Sequence, residues 1–456
     1  MPSRERTMHQ DRNILNESIK RLLRRGAISH LRKIVNKTHA ADLAAVFRVL
    51  TFNEQRKLFA VIEDVEKKGV ILEDLDEDTL LALTEAMEVE EIVEILESMP
   101  KDDAADLVGH LPEETADTVL EKMKKEGSEE VEDLLGYDDD TAGGIMVPDF
   151  IALREDMTAA EAITLLQTDY QDVEMPFYLY VVDEYGKLVG VSSLRQLVVV
   201  KPDTQLKDFM ATDVMSVQTH VDQEEVAKLV ARYDFLAVPV TDETNRLVGI
   251  VTVDDVIDIF REEATEDILK MAGAGEDFIE SKSILRSARI RMPWLLASAL
   301  GGVLAFLVIS HYEESLMQVA YLAAFIPVIM GMGGNIGTQS STIVVRGLAT
   351  GRIHVQDFQS VILREFTTGL ILGILYGLLV GSVAQFSYGR EAVAFSVGLA
   401  VLSSMTVAAL VGSLVPMIFA RANIDPAVAT GPFVTTAIDI ISVFFYFEIA
   451  TSLLGI

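Results

Sequence analysis

The chain contains no cysteine, which excludes disulfides, thiolate metal sites and thiol catalysis. Histidine is scarce: seven residues, scattered, with none paired at ligand spacing. No nucleophile–base cluster and no phosphate-cradling glycine loop appears, so the sequence offers no enzyme active site. Basic residues are also few. Against 70 Asp and Glu stand 38 Lys and Arg, a formal charge of −32. Such a surface repels nucleic acid and anionic lipid heads and attracts cations. The first residues, MPSRERTMHQDRNILNES, hold no apolar core, so no cleaved secretion signal is expected.

What is present falls into two unlike parts. Half of the 456 residues are hydrophobic although 24% are charged. From Glu280 to Ile456 there are nine acidic and nine basic residues, so the whole negative excess lies before Glu280. Residues 1–145 read as short amphipathic helices, forming an all-α domain. Met99-Pro100-Lys101-Asp102-Asp103-Ala104-Ala105-Asp106 is echoed twelve residues later by Leu111-Pro112-Glu113-Glu114-Thr115-Ala116-Asp117. Proline followed by acids marks a helix start, because acids favour the positive end of the helix dipole. Repeated short units of this kind predict a helical superhelix. Asp102 and Asp106 lie four apart on one face, either as a solvated pair or as a cation site.

Residues 146–260 change character. LYVVDEYGKLVGVSSLRQL (Leu179–Leu197) and AVPVTDETNRLVGIVTVDDV (Ala237–Val256) match at an offset of 59. Each predicts strand, turn, strand and helix start, and a helical run precedes each, Thr158–Gln167 and Asp222–Tyr233. The pair resembles tandem CBS modules, an α+β arrangement that senses ligands rather than catalysing reactions. Some such pairs bind adenine nucleotides in the cleft between modules, which makes ATP a candidate ligand there. The helix-start aspartate common in such modules is Gln196 in the first copy and is read as Asp254 in the second.

An amphipathic connecting helix follows, read from Asp254 onward and assigned to 261–285. Asp255, Asp258, Glu263, Glu266 and Asp267 recur at three- to four-residue spacing, a carboxylate stripe with few basic neighbours. Like charges on one face repel, so the helix would gain from a divalent cation; the alternative is an ordinary solvated face. Residues 286–456 then carry five apolar spans, at about 293–310, 317–345, 365–387, 392–420 and 427–454, each long enough for a bilayer, which needs ~20 residues. Arg in the connections places the N-terminal domains in the cytosol and the C-terminus outside. Five helices make a small bundle for a pore, and a symmetric homodimer completes it.

Two stretches in this half carry chemistry. PVIMGMGGNIGTQSSTIVVRGLATG (Pro327–Gly351) interrupts an apolar region with glycines and polar residues, and predicts a helix broken at a path-facing segment, with carbonyls freed at Gly331 and Gly334, or else glycines that serve close helix packing. GPFVTTAIDIISVFFYF (Gly431–Phe447) holds one carboxylate, Asp439. An acid inside a span is costly and faces a cavity or pathway more often than lipid; the alternative is a buried aspartate bonded to a nearby hydroxyl. Two copies of Asp439 across a dimer axis would present hard oxygen donors, suited to Mg²⁺ with its tightly held water. Asn335 and Thr338 could hydrogen-bond that hydration shell. Glu448, near the outer end, reads as snorkelling, and Asp425 as the N-cap of the last helix or a cation site at the inner mouth.

These two motifs, with the order helical domain, CBS pair, connecting helix and five spans, resemble the MgtE family of magnesium channels along essentially the whole chain. The resemblance implies that Asp439 is the ion-selecting carboxylate, with main-chain oxygens of Gly331, Gly334 and Thr435 beside it. It also implies regulatory Mg²⁺ sites at Asp102, Asp106, Gly144, Asp222, Glu224, Asp234, Asp255, Asp258, Glu263, Glu266, Asp267 and Asp425. The expected function is a Mg²⁺ importer of the cell (inner) membrane, closed by cytosolic Mg²⁺. The alternative is a non-transporting membrane receptor that senses metal or nucleotide through the CBS pair.

Overall fold

The computed structural model describes residues 2–170, 175–273, 284–428 and 431–455, in two compact units, Met1–Phe260 and Arg261–Ile456.

The first unit begins with ten helices: α1 (Pro2–Arg25), α2 (Ile28–Val35), α3 (Ala40–Phe47), α4 (Phe52–Phe59), α5 (Val65–Glu73), α6 (Glu77–Thr84), α7 (Val89–Leu96), α8 (Lys101–His110), α9 (Glu113–Lys122) and α10 (Lys125–Leu134). Helices of eight to ten residues are marginal alone and depend on caps and packing. Caps recur here: Thr51 and Glu54 form a capping box on α4, and Asp64 and Asp76 accept from backbone N–H groups at the starts of α5 and α6. The echoed Pro100 and Pro112 each stand immediately before a helix. Alternate helices stack, α3 on α5, α5 on α7, α7 on α9 and α8 on α10, which is the superhelix that the repeats predict. Phe47, Leu58, Ile71, Leu72, Ile92 and Ile95 are fully enclosed between the layers.

The rest of this unit is a pair of modules. Strands β1 (Ala152–Arg154), β2 (Tyr178–Val182) and β3 (Leu188–Ser193) form one sheet; β4 (Val217–Gln218), β5 (Ala237–Thr241) and β6 (Leu247–Thr252) form the other. In each the first pairing is parallel and the second antiparallel. Helices α11 (Ala159–Thr168), α12 (Leu194–Val199) and α13 (Gln223–Tyr233) accompany them. The offset of 59 holds in the fine geometry. The hairpin register shifts between Val181 and Val182 in one copy and between Val240 and Thr241 in the other. Gly186 and Asn245, the turn residues with positive φ, are also 59 apart. Asp183 and Asp242 each accept two backbone N–H groups across the turn. The same offset corrects one pairing. Gln196, whose backbone N–H donates to Oγ of the N-cap Ser193 at the start of α12, corresponds to Asp255 and not Asp254, and Asp255 in turn accepts from Thr252 Oγ1 at 2.6 Å.

Helix α14 (Val253–Met271) follows directly from β6. The remainder of the connecting segment, 274–283, lies outside the described residues. The second unit is helical: α15 (Ile284–His311), α16 (Glu313–Gln318), α17 (Ile326–Ala349), α18 (Phe358–Tyr388), α19 (Glu391–Arg421) and α20 (Pro432–Leu454). Among the described residues, five stretches are long and apolar enough to cross a membrane: Ile284–His311, Ala320–Ala349, Val355–Tyr388, Glu391–Arg421 and Phe433–Leu454. The second and third each include a 3₁₀ turn before the α-helix, Ala320–Phe325 and Val355–Asp357.

Helix α19 is the centre of this bundle and packs on α17, α18 and α20. Small residues let the backbones approach. Gly369, Gly373, Gly377 and Gly381 repeat every fourth residue along α18 and lie against α19. A Cβ on Gly377 would come within 2.6 Å of the Gly398 carbonyl oxygen. One on Gly412 would come within 2.3 Å of the Gly337 carbonyl oxygen, so α17 and α19 touch through bare backbone.

Candidate ion path and acidic cluster

In the membrane unit the expected break in the second span does not occur. Helix α17 is continuous from Ile326 to Ala349, through every residue from Gly331 to Gln339. The carbonyls of Gly331 and Gly334 therefore stay within the helical ladder. A backbone without water keeps its hydrogen bonds, and the glycines serve other ends. Gly333 and Gly337 face inward, where a Cβ would meet Ser442 and Ser404, or Ile438. Gly331, Asn335 and Thr338 lie on the opposite, exposed face, spaced by four and three residues. A helical carbonyl retains a second lone pair, and beside a glycine no side chain shields it.

Asp439 stands on α20, half-buried. A Cβ on Gly334 would lie 3.9 Å from its Oδ1, so the carboxylate looks onto the bare flank of α17. Among the described residues no hydrogen bond or ion pair engages that carboxylate. Its alternative partners are used elsewhere. Thr435 Oγ1 donates back to the Gly431 carbonyl at 3.2 Å, and Ser442 pairs with Ser404 at 2.8 Å. An unpaired acid within an apolar span, facing a stripped helix flank, is arranged to meet a cation. Glu448, by contrast, accepts from Tyr312 Oη at 2.6 Å, and that tyrosine stacks on Phe447. It is held by protein rather than simply snorkelling.

Asp425 is not the N-cap of the last helix. Gly431 occupies that position, while Asp425 Oδ1 accepts from the Ala427 N–H at 2.7 Å. Its Oδ2 pairs with Lys270 Nζ at 2.9 Å, and the same ammonium pairs with Glu266 one turn back on α14. Burial works against the charged ammonium, but the bonds from Glu266 and Asp425 outweigh it and hold Lys270 above the usual lysine range. The carboxylate stripe thus does have a basic neighbour, and it spans two of the predicted Mg²⁺ ligands.

A second group of acids lies in the first unit. Asp102, Asp103 and Asp106 on α8, Glu73 at the end of α5, and Asp255 and Asp258 on α14 lie within electrostatic reach of one another. Partial removal from water, then the field of Asp255, Asp74, Asp258 and Asp106, pushes Glu73 up to about 7. Burial, then Asp102, Glu73, Asp255 and Asp106, pushes Asp103 up to about 9. Asp255 is raised too, by burial first, against the Thr252 hydrogen bond that lowers it. Sequence reasoning found Asp102, Asp106, Asp255 and Asp258 and missed Glu73 and Asp103. Only the adjacency of Asp103 to Asp102 pointed to it; Glu73 comes from another helix pair.

The other predicted residues are placed as follows. Asp222 N-caps α13 through the Glu224 N–H at 2.8 Å, and Asp234 ends that helix with φ of 55°. Glu224 pairs with Lys228 at 2.9 Å. The loop holding Gly144 comes beside Asp222 through the bridge between Thr141 and Asp222 and the bond from Ala142 N to the Val221 carbonyl. A Cβ on Gly144 would fall 2.5 Å from the Asp138 carbonyl, so only glycine fits. Glu263 and Asp267 lie on α14. Among the described residues no three acids or histidines converge closely enough to enclose a metal ion.

Comparison with known proteins adds the family. The profile described as "MgtE: Divalent cation transporter" matches residues 326–449, the MgtE intracellular N domain matches 38–140, and CBS domains match 142–203 and 206–262. Magnesium transporter MgtE of Bacillus subtilis is 34% identical over 94% of this chain and 95% of its own length. The chain belongs to the MgtE family of divalent cation transporters. MgtE of Thermus thermophilus is 42% identical over 71% of this chain and 72% of its own. Among solved structures, the cytosolic domain of the Mg²⁺ channel MgtE in complex with ATP covers 54% of this chain and 99% of that one, with a TM-score of 0.50 and 36% identity.

Proposed function

We propose that the protein is a Mg²⁺-selective channel that imports Mg²⁺ down its electrochemical gradient and is closed by cytosolic Mg²⁺. The observation that carries this is the unpaired Asp439 carboxylate beside the exposed glycine flank of α17. Mg²⁺ keeps most of its water and takes few direct protein ligands. Asp439 supplies the charge, and the carbonyls of Gly331, Gly334 and Thr435 with the side chains of Asn335 and Thr338 hydrogen-bond the hydrated ion. In one chain that face of α17 is open, and a second copy would close it into a path on a twofold axis. The apolar faces of α15 and α18 suit the bilayer of a cell membrane. The first unit lies in the cytosol and the C-terminus outside, in keeping with the arginines that flank the spans.

The acids of the first unit and of α14 set when the path opens. With raised carboxylates crowded together, the closed arrangement is under electrostatic tension that a divalent cation relieves. At high Mg²⁺, ions bridge these acids and hold the closed form. As Mg²⁺ falls, the acids that remain ionised repel, the raised ones take up protons, and α14 releases the start of the fifth span. This requires tighter Mg²⁺ binding to the closed form than to the open one. Lys270 is the cation that holds Glu266 to Asp425 when no metal is there. ATP in the cleft between the CBS modules is a second regulatory ligand, in line with the ATP complex of the related cytosolic domain. The test is Mg²⁺ influx into liposomes at graded internal Mg²⁺. Influx that falls steeply as internal Mg²⁺ rises supports the reading. Influx indifferent to internal Mg²⁺ removes the gating, and no influx at any level favours the receptor alternative.

A further inference from the structure

The third span holds a second carboxylate that the ion path does not use. Glu365 on α18 is 5% exposed, among the most enclosed acids of the described residues. Its Oε2 accepts from Ser340 Oγ on α17 at 2.9 Å, and its Oε1 accepts from Arg364 Nε at 3.4 Å. Both oxygens are therefore engaged by protein, unlike those of Asp439.

The placement gives the bond its consequence. Helix α17 rests mainly on α19 and α20 and meets α18 only sparsely, so the Ser340–Glu365 bond is a rare direct tie between them. Ser340 lies six residues beyond Gly334, about 9 Å along the helix axis. Helix α18 is itself fixed to α19 by the glycine seam at Gly369, Gly373, Gly377 and Gly381. A rigid neighbour thus holds the cytosolic half of α17 in register. With Gly333 and Gly337 packed on bare contacts, a small slide of α17 would change how Gly334 faces Asp439.

The geometry points to Glu365 as a positioning residue for ion conduction, acting through Ser340 to hold the flank of α17 opposite Asp439. It rests on the Mg²⁺-path reading, which the same experiment checks separately. Its charge is not the operative property; its ability to accept the Ser340 hydrogen bond is. Buried groups that lose one hydrogen-bond partner shift or draw in water, so removing either side should release the helix.

The experiment measures Mg²⁺ influx into liposomes holding the full chain, with no internal Mg²⁺, and compares Mg²⁺ with Ca²⁺ as the external ion. Rates are normalised to folded protein. E365Q keeps an acceptor oxygen and should stay within about twofold of the unmodified protein in rate and half-saturating Mg²⁺, whereas E365A should lose about tenfold or more and discriminate less against Ca²⁺. S340A should follow E365A in direction, and S340T, which keeps the hydroxyl, should follow E365Q. E365Q as impaired as E365A overturns the proposal, because charge would then be required. E365A indistinguishable from the unmodified protein also overturns it. If E365A does not fold, S340A decides: influx and ion preference equal to the unmodified protein refute the tie. An unmodified protein that carries no Mg²⁺, or an Asp439→Ala variant that carries it freely, would instead strike the path reading itself.

Discussion

Mg²⁺ binding to the acidic cluster of the first unit should expel protons. Glu73, at about 7, is half-protonated at pH 7, and Asp103, at about 9, is almost fully protonated. A divalent cation that engages both must displace roughly 1.5 protons at pH 7 and about one at pH 8. By linkage, apparent Mg²⁺ affinity near pH 7 rises by about 30-fold per pH unit, and by about tenfold near pH 8. The sign for stability without metal is the reverse. Both groups are raised above their unfolded values of 4.5 and 3.8, so the folded chain binds more protons. Metal-free stability is greatest below about pH 4 on this account and falls as pH rises toward about 9. The assay is titration calorimetry of the full-length protein at pH 7 in two buffers of different ionisation enthalpy. A heat that changes with buffer gives the proton count, and Asp103→Asn should lower it by about one. Binding heat that is the same in both buffers would refute the reasoning, because the cluster would then be ionised before the metal arrives.

Two further outcomes follow from contacts in the membrane unit. Lys270→Met leaves Glu266 and Asp425 without their shared ammonium; if Mg²⁺ competes with that ammonium as proposed, half-closure of influx should move to lower internal Mg²⁺, and an unchanged or higher value contradicts the competition. Gly412→Ala forces a methyl against the Gly337 carbonyl and should cost ~1–3 kcal/mol of stability, lowering the thermal midpoint. Gly302→Ala, where nothing lies within 4 Å, serves as the neutral control.

Much of the architecture was legible because it rests on periodicity. The 59-residue offset carried through to the hairpin bulges, the positive-φ residues and the capped turns. The apolar runs gave five spans, although the helices extend beyond most of them. What failed was the reading of the glycines in α17 as a break. Glycine and polar residues weaken a helix in water, but inside an apolar bundle the alternative is an unpaired backbone, and close approach to Gly412, Ile438 and Ser442 keeps the helix intact. Glu365 was missed for a related reason. Beside Arg364 it resembles the charged end of a loop, and nothing local reveals Ser340, 25 residues away. Glu73 joins Asp103 and Asp255 only through the stacking of three helices, which no spacing encodes. Lys270 was visible, but its partner Asp425 is far along the chain.

Asp439 remains the residue on which the account turns. The most direct measurement is Mg²⁺ uptake into liposomes with no internal Mg²⁺, comparing the unmodified protein with Asp439→Asn at equal folded amounts. The isosteric amide keeps shape and removes charge. The account predicts rapid uptake by the unmodified protein and uptake no faster than empty liposomes for the variant. Equal uptake by the two would contradict it, and would place the ion's path away from the flank of α17.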